Sequence, residues 1–344
     1  MRARRALRDV GEWGLLKWLY DELGKRFGDR EDVAIGIGDD TAVLNIGAAK
    51  QIAITTDAIV EGVHFERAYA TPYDLGWKAL AVNLSDMAAM FSKPAAAFVS
   101  LALPCDIAVS WVHQFYHGMI ELATNFGVAI VGGDTSSSEK GIFISVSVVG
   151  WCEGKLPRRS NAKPGDLIIV TGTLGDSAIG LLALQRFGRK AVMRSKPLRW
   201  LATRHLRPVP RVREGMTVLS TGLCECAIDL SDGLVSDLER VAEMSDVRIC
   251  LSLESLPISQ QAISASKLLN CSPIEMALYG GEDYELAMFV PAEHARHVCN
   301  AVESTCNVRC SIVGSAEAGK PGVYGINEHG RLIKLVGGYE HFKS

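Results

Sequence analysis

At 344 residues the chain can form two domains with substantial cores, and its 48% hydrophobic and 22% charged content is that of a soluble globular protein. A net charge of −3 gives no electrostatic support to a nucleic-acid or anionic-membrane partner. The most apolar stretch, Pro94 to Val112, is broken by Pro104 and Asp106, and no apolar segment follows the basic start Met1-Arg-Ala-Arg-Arg5, so neither a membrane span nor a secretory signal is expected.

Taken in order, residues 10–27 carry the pattern of an amphipathic helix. Gly36-Ile-Gly-Asp-Asp40 follows, a segment that could equally close a hairpin. Ile52-Ala-Ile-Thr-Thr56 reads as a strand with Asp57 at its C-terminal end, where open α/β sheets place ligand groups; a turn-forming Asx residue is the plainer alternative. Thr71, Pro72 and Asp74 mark a helix start: cap, proline at the first position, acid in the first turn. That helix should run to about Phe91, apolar nearly all round and therefore buried. Asp86 lies on it, and a carboxylate there needs either a cation or a firm set of donors. Phe98–Leu103 reads as a strand, Ser110–Phe126 as a helix closed by Gly127, and Val128–Val131 as a strand running into Gly132-Gly-Asp134. Asp134 could be a cap or turn residue. Ile142–Trp151 alternates as a further strand.

Glu153 to Asp166, rich in Gly, Pro and Arg, reads as a linker. Beyond it, strand Leu167–Thr171, loop Gly172-Thr-Leu-Gly-Asp-Ser177 and a helix to Phe187 make a turn whose free N–H groups could face a phosphate, although no Walker Gly-Lys-Ser/Thr follows. Asp229-Leu-Ser-Asp232 looks like a helix start with Ser231 or Asp232 as cap. Further strands are expected near Arg248–Leu253, Tyr284–Val290 and Val308–Val313, and helices near Asp237–Met244, Ser259–Leu269 and Ala292–Ser304.

Six short segments thus place a carboxylate beside small residues: those ending at Asp40, Asp57, Asp86, Asp134, Asp232 and Asp283. Singly, most read as well as a turn or cap; Asp86, on a face of an apolar helix, reads as a metal ligand ahead of a structural cap. Together they suggest convergence, which carboxylates tolerate only with a divalent cation between them, and hard oxygen donors suit Mg²⁺. No histidine pair has zinc spacing, no Gly-x-Ser-x-Gly elbow occurs, and the odd set of nine cysteines fits reduced thiols in a cytoplasmic protein. His64 could contact an anionic substrate or lie on the surface; Arg158-Arg159 could clamp phosphate or sit solvated in the hinge. The chain reads as a Mg²⁺-dependent phosphate-handling enzyme.

From about Gly36 to Phe342 the motifs resemble, in order and spacing, those of thiamine-monophosphate kinases, relatives of aminoimidazole ribonucleotide synthetase and selenophosphate synthetase. The resemblance is carried by Gly36-Ile-Gly-Asp-Asp40, Thr55-Thr-Asp57, Gly62-Val-His64-Phe, Ala79 to Ala89, Gly132-Gly-Asp-Thr135, His205-Leu-Arg-Pro208, Ala227 to Leu234 and Gly280-Gly-Glu-Asp-Tyr-Glu-Leu286. It implies ATP-dependent phosphorylation of thiamine monophosphate to thiamine diphosphate. By matching position, Asp40, Thr55, Thr56, Asp57, Asp86, Asp134, Asp229 and Asp232 would hold several Mg²⁺ ions, with Asp57, Asp86 and Asp232 central to catalysis. Gly133, Asp134, Arg159 and Ser231 would contact ATP, Tyr116 would lie near the adenine, and His64, Glu282 and Tyr339 would contact thiamine monophosphate.

The implied fold is α/β (α+β) in two domains, 1–151 and 152–344, the first pairing through its sheet in a homodimer and the site lying between domains. The Cys and Lys of a selenophosphate synthetase are absent, as is the terminal cysteine of a carbamoyl-dehydratase relative. A phosphate monoester has a second pKa of about 6, so the acceptor needs no general base and direct in-line transfer is expected. A ligase-type relative that activates an amide oxygen, or a non-catalytic Mg²⁺ or nucleotide sensor, are the alternatives that turnover would separate.

Overall fold

Residues 31–36, 38–47, 51–326 and 331–339, with Gly14 and Lys17, are described by a computed structural model. The helix expected over 10–27 otherwise falls outside the described residues.

The first half builds a six-stranded sheet from β1 (Val33–Ile35), β2 (Ala42–Asn45), β3 (Gln51–Val60), β4 (Lys93–Leu103), β5 (Ala129–Ser137) and β6 (Phe143–Cys152), in the order β1-β2-β3-β6-β4-β5. Neighbours are antiparallel except β4 and β5. Helices α1 (Pro72–Ala89) and α2 (Val109–Phe126) pack against each other at close range. Gly76 and Gly118 permit this, because a Cβ on either would fall within 2.0 Å of the other helix's backbone carbonyl oxygen. The capping box at α1 forms as expected, with Thr71 and Asp74 exchanging side-chain and backbone hydrogen bonds.

The second half forms a seven-stranded sheet in the order β13-β12-β9-β11-β7-β10-β8, antiparallel except for β12 beside β9. Its strands are β7 (Asp166–Thr171), β8 (Cys226–Asp229), β9 (Arg248–Ser252), β10 (Leu286–Pro291), β11 (Cys310–Glu317), β12 (Gly322–Ile326) and β13 (Leu332–Lys334). Its helices are α3 (Asp176–Val192), α4 (Lys196–Leu206), α5 (Val212–Thr221), α6 (Leu234–Ser245), α7 (Gln260–Leu269), α8 (Pro273–Tyr279) and α9 (Ala295–Cys306). None of the described helices is long and apolar enough to cross a membrane.

Helix α1 joins the halves. Fourteen of its 18 residues are buried, and it touches β3 and β6 of one sheet and α5 and β8 of the other half. One hydrophobic cluster therefore runs from Val43 and Val146 through Leu80 and Met87 to Ile169 and Val218. A second cluster, around Ile228, Val241 and Phe289, fills the space beneath α6.

Several expected boundaries shift. β3 continues past Asp57 to Val60 because each of its residues pairs with β6, so Asp57 lies within the strand rather than at its end. β5 likewise runs through Gly132, Gly133 and Asp134, held by parallel pairing to β4, and Asp134 is neither cap nor turn. Gly188 breaks α3 at φ +72, but helical turns resume to Val192.

Candidate active site

Four elements deliver carboxylates to one place. Asp40 precedes β2, Asp57 points inward from β3, Asp86 sits in the last turns of α1, and Asp229 ends β8. One carboxylate oxygen from each of Asp40, Asp86 and Asp229 lies within 4.8 Å of the others. They border a cleft of about 550 Å³ between the two sheets, also lined by Asp57, Asp232, His64, Glu282 and Tyr339.

The local bonding fixes each acid. Thr55 Oγ1 donates to Asp86 Oδ2 at 2.5 Å, and Ser85 Oγ donates to Asp229 Oδ2 at 2.7 Å. The Asp57 N–H donates to Asn83 Oδ1 at 3.1 Å, tying β3 to α1. Arg159 grips Asp40 with Nε at 3.0 Å and Nη2 at 2.5 Å, while its backbone N–H donates to Asp39. Asp232 pairs with Arg240. Among the described residues, no cationic side chain lies within ion-pair distance of Asp57, Asp86 or Asp229.

The electrostatic consequence is direct. Burial, then the charges of Asp57, Asp229 and Asp40, push the Asp86 carboxyl well above its ordinary range. Asp229 rises for the same reasons, burial first and Asp40 next. Asp57 is pushed up to about 6 by burial and the charges of Asp232 and Asp40. Hydroxyl donors alone do not neutralise this group, and a divalent cation would. The donor set is all oxygen, which fits Mg²⁺ rather than a thiophilic metal.

At the other end of the cleft, Glu282 meets Lys78 Nζ at 2.6 Å and His205 Nδ1 at 3.0 Å. His64 accepts the Val60 N–H at Nδ1, 3.1 Å. The Tyr339 N–H donates to the Asp232 carbonyl at 3.2 Å, which brings the end of the described chain over the site.

Not every expected residue converges. Thr56 borders the cleft, but alternation along β3 turns its side chain to the face opposite Thr55 and Asp57, where its hydroxyl donates to the Val146 carbonyl and accepts from Ser147. Gly133 and Asp134 lie on edge strand β5, separated from β3 by β6 and β4, and Tyr116 packs edge-on against Phe115 in α2; none of the three lines the cleft. Gly133 is required for packing, since a Cβ there would stand 1.8 Å from the Val99 carbonyl oxygen.

The glycine-rich turn before α3 does not present its N–H groups to an external anion. Asp283 already accepts from Gly175 N at 2.6 Å and Ser177 N at 3.1 Å. Nor do Ser231 or Asp232 cap α6. Gly233 occupies the cap position, and Asp237 reaches back to accept the N–H groups of Ser231 and Asp232 at 3.0 and 3.1 Å. Lys78, Asn83, His205, Asp237 and Arg240 are the residues of the site that sequence reasoning missed. Lys78 had a readable signal: it is a charge on a helix apolar nearly all round, the same signal that drew attention to Asp86.

Residues 38–152 match the family described as AIR synthase related protein, N-terminal domain, and residues 163–326 match its C-terminal domain. The thiamine-monophosphate kinase of Escherichia coli K12 is 38% identical over 336 residues, covering 96% of this chain and 98% of that one. The chain belongs to the thiamine-monophosphate kinase family. The enzyme of that name from Aquifex aeolicus is 36% identical, with 98% and 99% of the two chains covered. A solved structure described as AaThiL complexed with AMPPCP and TMP superposes with a TM-score of 0.83 at 34% identity, covering 98% of this chain and 99% of that one. The two-domain α/β architecture inferred from the motifs is thus the architecture observed. Tyr339 lies beyond both matched family segments.

Proposed function

We propose that this protein transfers the γ-phosphoryl group of Mg²⁺-ATP directly to thiamine monophosphate, giving thiamine diphosphate. The observation that carries the reading is the meeting of Asp40, Asp86 and Asp229, with Asp57 beside them, at the join between the two sheets. Asp40, Asp86 and Asp229 would hold Mg²⁺, with Asp57, Thr55 and Asp232 at its margins. Bound there, the metal supplies the positive charge that lets two polyanions approach and offsets charge developing on the transferred group.

The chain's own residues do the rest. Arg159 and Arg240 border the acids and can bind phosphate oxygens as bidentate donors once released from Asp40 and Asp232. Ser231 lines the cleft and would contact the nucleotide, as the family resemblance implies. His64, Glu282 and Tyr339 line the cleft together with Phe65, Tyr69 and Leu181, which give it apolar surface suited to an organic acceptor. No general base is needed, since the acceptor phosphate is already largely dianionic near neutral pH. Residues 1–151 would supply most of the metal ligands and residues 152–344 would complete the site.

The assignment of Gly133, Asp134 and Tyr116 to ATP rests on family resemblance. A homodimer formed through the first sheet is supported by Phe98, Phe143 and Trp151, which stand 45%, 41% and 50% exposed on its outer face. All nine cysteines are free, which suits a cytoplasmic enzyme.

The test is ADP release by purified protein with Mg²⁺-ATP, with and without thiamine monophosphate, the product being identified by mass. Matching amounts of ADP and thiamine diphosphate are expected. ATP turnover only with another acceptor would point to the ligase-type chemistry, and binding without turnover to a sensor.

A further inference from the structure

The loop from Gly280 to Glu285 carries three carboxylates, and each is held separately. Asp283 accepts two N–H groups at the start of α3. Glu285 is gripped by Arg204 and Arg211, with Thr171 donating at 2.7 Å. Glu282 is left for Lys78 and His205. The backbone here is in the left-handed region, with φ +67 at Glu282 and +52 at Tyr284. Non-glycine residues rarely adopt it, and such strain persists only where surrounding contacts over-determine it. Gly281 contributes by letting the loop press on Ser231, whose carbonyl oxygen would be 2.6 Å from an added Cβ.

The two residues that hold Glu282 come from different parts of the molecule. Lys78 projects from the middle of α1 and is 2% exposed. Such an ammonium is costly without a partner, and its Nζ has two: Glu282 Oε1 at 2.6 Å and the His64 carbonyl at 3.4 Å. It therefore links the His64 loop of the first half to the Glu282 loop of the second. His205, from α4, is also 2% exposed. Its Nδ1 lies 3.0 Å from Glu282 Oε2 and 3.1 Å from Ser177 Oγ. An ionised carboxylate can only accept, so Nδ1 carries the proton. Burial and the charge of Lys78 lower the His205 pKa, which makes it a neutral donor near pH 7. Burial alone would raise Glu282, but Lys78 and His205 outweigh it and hold the carboxyl below its usual range. Each Glu282 oxygen keeps a lone pair, and its side chain is 23% exposed toward the cleft.

We propose that Lys78 and His205 are positioning residues that lock the Glu282 carboxylate, and with it the His64 loop, in the one orientation that receives the organic head of the acceptor rather than its phosphate. This role rests on the kinase reading above. Glu282 then meets an N–H donor or a cationic ring of the acceptor, while ATP and Mg²⁺ are handled by the acids at the other end.

The test is steady-state kinetics with thiamine monophosphate and ATP varied separately. Lys78→Met should raise KM for thiamine monophosphate roughly ten- to a hundredfold, since bonds to a charged group are lost, and leave KM for ATP within about twofold. Lys78→Arg should recover part of the loss. His205→Leu should raise the same KM, and His205→Asn, whose amide N–H can take the place of Nδ1–H, should restore most of it. Adding Glu282→Gln to Lys78→Met should cost no more than Glu282→Gln alone, because the lysine acts through the glutamate. Folded Lys78→Met and His205→Leu proteins with unchanged KM for thiamine monophosphate would overturn the proposal, as would an equal rise in both KM values. If Lys78→Met does not fold, the His205 pair decides. A wild type inactive on thiamine monophosphate would overturn the kinase reading and this role with it, whereas an active wild type with indifferent variants overturns the positioning alone.

Discussion

The two ends of the cleft treat carboxylates in opposite ways. In the Gly280–Glu285 loop each acid has a protein partner in place: Lys78 and His205 for Glu282, Arg204 and Arg211 for Glu285, and two N–H groups for Asp283. At the Asp86 end, Asp57, Asp86 and Asp229 crowd together with hydroxyl and amide partners and no ion pair among the described residues. The first arrangement is self-sufficient and rigid, suited to recognising an uncharged or cationic group. The second is left with mutual repulsion that, in the proposed reading, a divalent cation would offset. On that reading, charge compensation, more than residue type, would separate recognition of the acceptor from phosphoryl transfer.

The largest expected effect lies at the uncompensated end. Asp86→Asn should lower kcat by about a thousandfold, the scale of losing charge stabilisation from a metal-centred site. In Mg²⁺-free buffer the same substitution should raise Tm, because it removes one of the repelling charges. Near-normal turnover would break the contrast. At the compensated end, Arg211→Met takes one of two arginines from the buried Glu285 and leaves Glu214 without its ion pair, and should cost about 3 kcal/mol in urea denaturation. A comparable destabilisation by Asp86→Asn would erase the distinction.

Next in size is ligand linkage. Mg²⁺ with ATP at about a hundred times its Kd should stabilise the wild type by about 2.7 kcal/mol, seen as a rise in Tm that EDTA reverses and Asp229→Asn abolishes. The smallest effect concerns His205, which Lys78, Glu282, Ser177 and the Tyr69 ring surround. Its folded pKa is lowered, so the unfolded chain takes up the proton first as pH falls through about 6.5. This part of the stability is present above that pH and lost below it. His205→Asn should flatten the decline in Tm between about pH 7 and 5.5 relative to wild type.

The convergence of Asp40, Asp57, Asp86, Asp229 and Asp232 was legible because each sits beside small residues, whereas Asp134, with the same local signal, lies apart on edge strand β5. Asp86 was readable from the apolar surroundings of α1, and the capping box announced that helix. What was not readable depends on partners far along the chain. Asp283 caps the start of α3 from 106 and 108 residues away, which removed the phosphate site that the glycine turn suggested. β3 was read as ending before Asp57, so the alternation that turns the Thr56 side chain away from those of Thr55 and Asp57 went unused. Helices α4 and α5 escaped notice, since their polar faces dilute a short apolar stripe that only the neighbouring helices complete. Arg240 and Asp237 form their pairs within one turn of α6, yet nothing local says that Asp232 will be there to meet them.

The most direct test of the charge contrast is anomalous diffraction near the manganese edge, from crystals grown with Mn²⁺ and a non-hydrolysable ATP analogue. The expected result is strong peaks within coordination distance of the Asp40, Asp86 and Asp229 carboxylates, and none at Glu282 or Glu285. Manganese-free density between those three aspartates, or metal bound at the Glu282 end instead, would contradict it.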